Sequence, residues 1–352
     1  MNGPVLVTGG AGFIGCNIAD RVAREGHDVI ILDALARPGV ETNLEWLKKR
    51  HEGRIHPIVA DVRDEEALGK AVRDASAVFH MAAQVAVTTS LADPLDDFDI
   101  NIRGTLALLE TVRRRGERVP VIFASTNKVY GDLADIALWE EADCWTPADL
   151  DVRAHGISEA RPLDFHTPYG CSKGAADQYV LDYARSFGLP TAVIRMSCIY
   201  GPRQMGTEDQ GWVAHFLIRA LEGQPITIFG DGKQVRDVCH VDDAVDTYLA
   251  VLRDIDRVQG RVFNLGGGPA NAISLRQLLR HIEELTGRPA QVRYEDWRAG
   301  DQRYFVADAR VARQTLGLSE PKHWRDGLAE LADWLADARG LEHPVHQMEA
   351  AE

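Results

Sequence analysis

The sequence has few cysteines and no long apolar run. None of its five cysteines lies in a CxxC pair and their number is odd, so we expect reduced thiols in a cytoplasmic protein rather than a disulfide framework. No apolar run approaches the ~18 residues of a membrane span, and the start MNGPVLVTGG lacks the basic region of a signal peptide. The His, Cys and Asp residues show no metal-ligand spacing, so we expect no metal.

Basic residues are scarce relative to acidic ones. The 352 residues include 39 Lys and Arg against 53 Asp and Glu, which gives a formal net charge of −14. A nucleic acid or an anionic membrane needs a basic face, so we expect neither as a partner. A small anionic ligand remains compatible with this charge, because a few arginines can bind it locally.

Short apolar runs alternate with helical patterns through the first 200 residues. Strands of four to six residues between helices are typical of a mostly parallel sheet with helices on both faces. We therefore predict an α/β fold, a Rossmann-type doubly wound parallel sheet. The predicted strands are 5–8, 29–32, 55–59, 77–80, 121–124 and 191–195, and the predicted helices between them include 17–24, 64–75, 105–114 and 173–187.

A glycine-rich turn, TGGAGFIG, follows the first predicted strand and opens a helix. Glycines at 9, 12 and 15 allow positive φ and close approach of a pyrophosphate, and the helix N-terminus offers free N–H groups. On its own, such a sequence is equally compatible with an ordinary glycine-rich turn that binds no ligand. A carboxylate at the end of the second strand strengthens the dinucleotide interpretation.

That carboxylate is Asp33, which can accept hydrogen bonds from an adenosine ribose. It would repel a 2′-phosphate, so NAD is favoured over NADP, although Arg37 nearby leaves NADP open. Asp61 and Val62 follow the third strand. Asp61 is either an adenine contact or a cap of helix 64–75, and the sequence does not separate the two.

Tyr169 and Lys173 lie four residues apart and share one face of a predicted helix. A lysine beside a tyrosine favours the phenolate, and a phenolate near neutral pH can take a proton from a sugar hydroxyl during hydride transfer. Thr126, after the fifth strand, offers a hydroxyl. A YxxxK pattern alone also fits a solvated helix face, but the preceding dinucleotide turn favours a catalytic pair.

The alternation of strands and helices weakens after about residue 200. Glycine-rich turns at 230–232 and 266–268 and helical stretches at 274–286 and 323–338 fit a smaller cap better than an independent domain. We predict a NAD-binding sheet domain over 1–200, a mainly substrate-binding cap over 201–340 that is interleaved with it, and a frayed tail over 341–352.

Several motifs in the same order resemble the extended short-chain dehydrogenase/reductases that act on nucleotide sugars: TGGAGFIG, HMAA, Asn101, STNKVYG, YGCSK and Arg195 followed by YGPR. The resemblance covers residues 5 to about 310. It implies an NAD-dependent enzyme with the catalytic triad Thr126, Tyr169 and Lys173. The NAD contacts that it implies are Gly9, Gly12, Gly15, Asp33, Asp61, Ala82, Ser125 and Lys173. The further predicted cofactor contacts are Phe13, Ile14, Arg37, Val62, Ala83, Asn101, Tyr169 and Met196.

Asn127 and Lys128 stand where the family's 4,6-dehydratases carry an Asp-Glu acid–base pair. Dehydration is therefore not expected, and epimerisation needs only reversible hydride transfer. The segments STNKVYGDL and LDFHTPYGCSKGAADQY resemble epimerases that invert C2 of a CDP-linked deoxysugar, with NAD tightly bound and recycled. Cys198 departs from many relatives, so another nucleotide sugar, for example a UDP-sugar inverted at C4, is an alternative, although a surface or core role for Cys198 is the simpler interpretation. A non-catalytic dinucleotide-binding regulator is a third.

Polar residues around the triad and in the cap are the predicted substrate contacts. Arginines can bind a diphosphate bidentately, although Arg236–Asp237 and Asp301–Arg303 can equally be structural ion pairs. Threonines after the fourth strand can equally cap a helix. By resemblance, a homodimer would form through the helices near 105–114 and 173–187. The substrate candidates are Gln84, Thr88, Asn127, Lys128, Cys198, Gln210, Arg236 and Arg303.

Overall fold

The computed structural model describes residues 3–298 and 300–341, so the predicted frayed tail lies, except for Leu341, outside the described residues. None of the described helices is long and apolar enough to cross a membrane. The strands are β1 (Val5–Thr8), β2 (Val29–Asp33), β3 (Ile55–Val59), β4 (Ala77–His80), β5 (Val121–Thr126), β6 (Leu138–Glu140), β7 (Trp145–Pro147), β8 (Thr191–Met196), β9 (Cys198–Tyr200), β10 (Ile226–Phe229), β11 (Val235–His240), β12 (Arg261–Leu265), β13 (Ala272–Ser274), β14 (Val292–Glu295) and β15 (Tyr304–Phe305).

The helices lie mostly between these strands, and three short turns complete the backbone: a π-helical turn (Asp99–Arg103) and 3₁₀ turns at Asn127–Tyr130 and Pro269–Asn271. The helices are α1 (Phe13–Arg24), α2 (Val40–Arg50), α3 (Glu65–Val72), α4 (Val87–Ala92), α5 (Pro94–Phe98), α6 (Gly104–Arg115), α7 (Leu150–His155), α8 (Thr167–Phe187), α9 (Trp212–Leu221), α10 (Val241–Arg253), α11 (Ile255–Val258), α12 (Leu275–Thr286), α13 (Arg310–Leu316) and α14 (Trp324–Arg339).

A seven-stranded parallel sheet in the order β12-β8-β5-β4-β1-β2-β3 forms the centre of the molecule. All residues of β1, β4 and β5 are buried, as strands covered on both faces must be. Helices α1, α2 and α10 cover one face, and α3, α6 and α8 cover the other. The predicted Rossmann-type doubly wound sheet is confirmed.

The strand order reverses between β1 and β4, which are direct neighbours with Thr8 opposite His80. A crevice opens beside the carboxyl ends of the strands at such a switch point, and ligands of α/β proteins bind there. The loops after β1, β2, β4 and β5 therefore converge on one edge of the sheet. These loops carry most of the predicted site.

The seventh strand, β12, comes from the second half of the chain and pairs with β8. The sequence reasoning missed it, because the strand–helix alternation is interrupted by cap elements between residues 197 and 240. Helix α10, which precedes β12, packs against α1 on the sheet domain. Residues 241–265 therefore belong structurally to the sheet side of the molecule.

The remaining second-half elements form a cap with its own hydrophobic core. Helices α9, α12 and α14 pack against β10 and β11 in that core. Strand β11 pairs with β9, β13 and β15. Helix α12 begins at Ser274 with a capping box, in which Ser274 and Gln277 hydrogen-bond each other's backbone N–H groups.

Candidate active site

A cavity of about 1010 Å³ lies between the carboxyl ends of the central strands and the cap. Most of the residues predicted from the sequence line it. From the cofactor and catalytic sets these are Gly9, Gly12, Phe13, Ile14, Gly15, Asp33, Arg37, Asp61, Val62, Ala82, Ala83, Ser125, Thr126, Tyr169, Lys173 and Met196, and from the substrate set Thr88, Asn127, Lys128, Cys198, Gln210 and Arg236.

The glycine turn at the start of α1 has the shape required to admit a pyrophosphate. A Cβ atom on Gly9, whose φ is +67°, would lie 2.7 Å from the Ala82 nitrogen, and one on Gly15 would lie 2.3 Å from the Gly9 oxygen. Helix α1 begins after Gly12 without a side-chain cap. The turn thus leaves no room for side chains at Gly9 and Gly15, and the N-terminus of α1 at the cavity has no side-chain cap. Both features fit the binding of a dinucleotide pyrophosphate.

Asp33 holds a fixed position at the end of β2. Its Oδ2 accepts a hydrogen bond from the Ala11 nitrogen at 2.9 Å, and its Oδ1 accepts one from the Leu35 nitrogen at 2.8 Å. A carboxylate oxygen can accept more than one hydrogen bond, so both oxygens remain available to ribose hydroxyls. The residues present therefore fit NAD.

Asp61 lies on the cavity and does not cap helix α3. The cap is Asp64, which accepts hydrogen bonds from the Glu66 and Ala67 nitrogens, both at 3.0 Å. Asp61 instead pairs with Arg63 at 2.7 Å, and the hydrogen bond from Arg63 lowers the pKa of Asp61. Of the two interpretations of Asp61, the helix cap is wrong.

Tyr169 and Lys173 lie in the first turns of α8, facing the end of β5. Both are buried, at 8% and 3% exposure. Thr126, Tyr169 and Lys173 all line the cavity, and the Lys173 ammonium lies 4.1 Å from the centre of the Phe123 ring. The three predicted catalytic side chains are therefore brought together.

The ionisation of this pair differs from the sequence expectation. Burial raises the pKa of Tyr169 to about 12, and the Thr126 hydroxyl opposes the rise. Burial also lowers the pKa of Lys173 to about 7. The expectation that Lys173 lowers the pKa of Tyr169 is wrong, because loss of solvent penalises both the phenolate and the ammonium.

A buried ion pair lies behind the catalytic side chains. Arg195 on β8 donates to both oxygens of Asp177 on α8, with Nε–Oδ2 and Nη2–Oδ1 distances of 2.9 Å. The Ser125 hydroxyl donates to Asp177 Oδ2 at 2.7 Å. Ser125 lines the cavity. The pair fixes α8 to the central sheet at the site.

Asn127 and Lys128 are fixed by contacts with the segment 300–302. Asn127 Nδ2 donates to Gln302 Oε1 at 3.1 Å, and Lys128 Nζ donates to the Gly300 oxygen at 3.1 Å. Burial lowers the pKa of Lys128, and Asp301 opposes that effect. An amide and an ammonium thus occupy the position next to the triad.

Arg236 is an ion-pair partner and also lines the cavity. Its Nη2 lies 2.7 Å from Asp301 Oδ1, so the alternative pairing with Asp237 is wrong. Cys198, on the adjacent strand β9, accepts a hydrogen bond from Trp212 Nε1 at 3.3 Å, and burial raises the pKa of its thiol. The predicted substrate end therefore presents a guanidinium and a protonated thiol.

Three predicted contacts do not line the cavity. The Asn101 side chain bonds Ser172, Asp97 and the Gln84 backbone, and the Gln84 amide bonds Asp97 and Ala86. Arg303 lies over the rings of Trp145 and Trp297, at 4.9 and 5.6 Å from their centres, rather than pairing with Asp301. Their polar groups are used within the protein.

Four buried polar atoms on the cavity have no hydrogen-bond partner within residues 3–298 and 300–341: Asn43 Oδ1, Thr88 Oγ1, Gln204 Oε1 and Gln234 Oε1. Buried acceptors are normally satisfied, so these are available to a ligand. Helix α4 starts after Ala86 without a side-chain cap, so the capping interpretation of Thr88 is wrong. Sequence reasoning missed Asn43, Gln204 and Gln234, although Gln204 directly follows the YGPR motif.

Away from the cavity, His240, Asp242 and Glu330 place possible metal-ligand atoms within 4.8 Å of one another. The Lys322 ammonium lies 2.5 Å from Glu330 Oε2 and 3.5 Å from Asp242 Oδ2. This ammonium already balances the two carboxylates. The cluster is therefore explained as a salt-bridge network.

Known proteins resemble the chain over nearly its whole length. The model of the NAD-dependent epimerase/dehydratase family matches residues 5–266. The chain is 41% identical over 337 residues to the CDP-paratose 2-epimerase of Salmonella typhi. The aligned region covers 94% of this chain and 98% of that protein. The UDP-glucose 4-epimerase of Thermotoga maritima, solved with UDP-glucose, superposes with a TM-score of 0.81 at 32% identity, covering 96% of this chain and 99% of its own. The UDP-glucose 4-epimerase of Thermus thermophilus, solved with NAD, superposes with a TM-score of 0.78 at 30% identity, and the superposition covers 96% of this chain and 99% of that protein.

Proposed function

The chain belongs to the NAD-dependent epimerase/dehydratase family, and we propose that within it the protein converts CDP-paratose to CDP-tyvelose by inverting C2 of the sugar. The observation that carries this proposal is the 41% identity to a CDP-paratose 2-epimerase across 94% of the chain. The cavity supports it, because a glycine turn, Asp33 and the Tyr169–Lys173 pair line one continuous space. NAD is the cofactor of the family.

The residues of the site supply proton transfer and positioning. Tyr169 takes the proton of the C2 hydroxyl as the C2 hydrogen departs with its electron pair, and it returns the proton when that hydride adds to the opposite face. The neighbouring Thr126 hydroxyl lowers the pKa of Tyr169 and so favours the phenolate. When bound, NAD supplies the hydride acceptor and the positive charge that favours the phenolate. No net oxidation results.

The position after the triad hydroxyl argues for epimerisation rather than dehydration. Eliminating water across a sugar needs a general acid and a general base. Asn127 is a neutral amide bound to Gln302, and the Lys128 ammonium is bound to the Gly300 oxygen. Neither side chain replaces a carboxylic acid–carboxylate pair.

Arg236 is the proposed partner of the substrate diphosphate. It is 6% exposed and lines the cavity, and Asp301 fixes its guanidinium. A guanidinium that is already oriented loses little conformational entropy when it binds phosphate oxygens. Local cationic groups of this kind compensate for the acidic surface of the whole chain.

The substrate test is an assay with a panel of CDP-, UDP-, GDP- and dTDP-linked sugars, followed by NMR. In deuterated buffer we expect CDP-paratose to give CDP-tyvelose with hydrogen retained at C2, because the hydride returns from the bound cofactor. No free NAD should be consumed. The similarity to UDP-glucose 4-epimerases supports one alternative: turnover of UDP-galactose without turnover of CDP-paratose would replace the proposal with a 4-epimerase.

Turnover of a sugar in the panel distinguishes these enzymes from a non-catalytic regulator, whereas a loss of function does not. A regulator would bind a dinucleotide and convert none of the sugars in the panel. Tyr169 and Lys173, which such a protein would not need, are both present and buried together. This arrangement supports a catalytic function over a regulatory one.

A homodimer in the cytoplasm completes the proposal. The exposed apolar side chains near the predicted contact helices include Leu95 and Phe98 on α5 and Tyr179 and Phe187 on α8. All five cysteines are free thiols.

We expect Leu95→Glu with Tyr179→Glu to shift the sedimentation coefficient from dimer to monomer. The control Leu150→Glu, at a similarly exposed leucine on α7, should not. A monomeric unmodified protein at micromolar concentration would refute the dimer.

A further inference from the structure

A short segment after β9 contacts the helices that surround the glycine-rich turn. We call this segment, residues 202–205, the strap. Its residues Arg203, Gln204 and Met205 line the cavity, and so does Asn43 on α2. The strap therefore forms a wall of the cavity that α2 also borders.

Two asparagine amides bind the backbone of the strap to the sheet domain. Asn43 Nδ2 donates to the Arg203 oxygen and to the Ala11 oxygen, both at 3.2 Å, and Ala11 belongs to the glycine-rich turn. Asn17 Nδ2 on α1 donates to the Pro202 oxygen at 3.2 Å. Asn43 is 1% exposed, so water has little access to its hydrogen bonds. Helices α1 and α2 therefore hold the strap beside the turn that fits the pyrophosphate.

The Arg203 side chain connects the strap to both halves of the molecule. Its guanidinium carbon lies 3.9 Å from the ring centre of Trp46 on α2 and 5.5 Å from that of Trp334 on α14. A guanidinium over an indole face makes a cation–π contact. Helix α2 covers the central sheet, whereas Trp334 packs in the core of the cap. The two rings thus hold Arg203 between the sheet domain and the cap.

The backbone of the strap has a conformation that these contacts must maintain. Arg203 has a φ of +75°, a left-handed value that is unfavourable for a residue with a side chain. Such conformations persist only where the surrounding structure fixes them. Met205 also approaches the loop before α2, since a Cβ atom on Gly39 would lie 3.2 Å from Met205 Cγ. If the contacts of the strap open, we expect it to relax away from the glycine-rich turn.

We propose that the strap is a gate that retains NAD in the cavity, and that the Arg203 guanidinium between Trp46 and Trp334 keeps this gate closed. The protein makes these contacts with itself, so they oppose the entry of NAD as well as its release. The purpose of retention rests on the proposed function, because a cofactor that left between the two hydride transfers would leave the sugar oxidised. The gate itself requires only that NAD binds.

The test replaces the two tryptophans, which are not among the residues lining the cavity. Protein loaded with NAD is mixed with excess isotopically labelled NAD, and mass spectrometry of the protein-bound nucleotide gives the release rate. Equilibrium dialysis with labelled NAD gives Kd. We expect release to accelerate about tenfold in Trp46→Leu and about threefold in Trp334→Leu, within what a cation–π contact contributes. Kd should change less than about twofold, because entry accelerates as well.

Arg50→Ala is the matched control. The Arg50 guanidinium carbon lies 5.7 Å from the centre of the same Trp46 ring, but Arg50 pairs with Asp20 and is not among the residues lining the cavity. The release rate of this variant should stay within about twofold of that of the unmodified protein. Arg203→Met removes the cation–π contact from the other side, so adding Trp46→Leu to it should accelerate release little further.

Two results would overturn the gate: unchanged release in both tryptophan variants, or a Kd that rises by the same factor as the release rate, since entry would then be unaltered. If Trp46→Leu does not fold, Trp334→Leu and Arg203→Met decide by the same two criteria. A protein that exchanges NAD as expected but turns over no sugar would refute the proposed epimerisation and leave the gate standing.

Discussion

Tyr169→Phe lowers kcat by about a thousandfold, within the range of about 10²–10⁴ that a positioned general acid–base group contributes. The phenylalanine retains the ring that fills this buried position but cannot take the proton of the substrate hydroxyl. We expect KM to change little, because the reaction loses proton transfer and not the diphosphate contacts. The measurement is steady-state kinetics with the nucleotide sugar that the panel identifies.

The matched control for this prediction lies on the same helix. Tyr179→Phe removes a phenol that is 44% exposed and is not among the residues lining the cavity, so kcat should remain within about twofold of the unmodified value. Both variants should keep bound NAD, which mass spectrometry of nucleotide released on denaturation detects. Undiminished turnover by Tyr169→Phe would disprove the catalytic assignment.

Asp177→Ala lowers the free energy of unfolding by about 3–5 kcal/mol. Asp177 is fully buried and Arg195 is 4% exposed, so removing the carboxylate leaves an uncompensated guanidinium in the interior. The Ser125 and Gln178 donors to Asp177 lose their acceptor as well. Chemical denaturation at a fixed NAD concentration measures the loss, because bound cofactor itself adds stability.

Two further variants identify the cause of that loss. Glu66→Gln breaks an exposed i,i+4 pair with Lys70 and should cost no more than about 0.5 kcal/mol. Replacing both buried partners, as Asp177→Leu with Arg195→Met, should recover much of the stability, since no unpaired charge remains. A loss below about 1 kcal/mol in Asp177→Ala would mean that water or rearrangement compensates Arg195.

Local sequence patterns were sufficient for six of the seven strands of the central sheet and for most of the cavity. The first six predicted strands are short apolar runs bounded by turn residues, and all six occur within about two residues of their predicted ends. Because parallel strands end at the same edge, residues that follow them, such as Asp33 and Thr126, converge without any knowledge of the tertiary structure.

Properties that depend on packing could not be predicted in this way. Motif matching placed Asn101 on the cofactor, but the structure uses its amide between α5 and α8. The Lys173 charge was expected to lower the pKa of Tyr169, yet burial has the larger effect. Neither the depth of a side chain nor the partners of an amide is encoded by spacing along the chain.

The placement of β12 bears on how the protein is made. Strand β8 pairs with β5 on one side and with β12 on the other, but β12 begins at Arg261, well after β8 ends at Met196. At about 5–20 residues per second, a ribosome needs several seconds to synthesise that interval. During this time the emerging polypeptide carries β8 as an unprotected sheet edge, the kind of surface on which nascent chains aggregate or recruit chaperones.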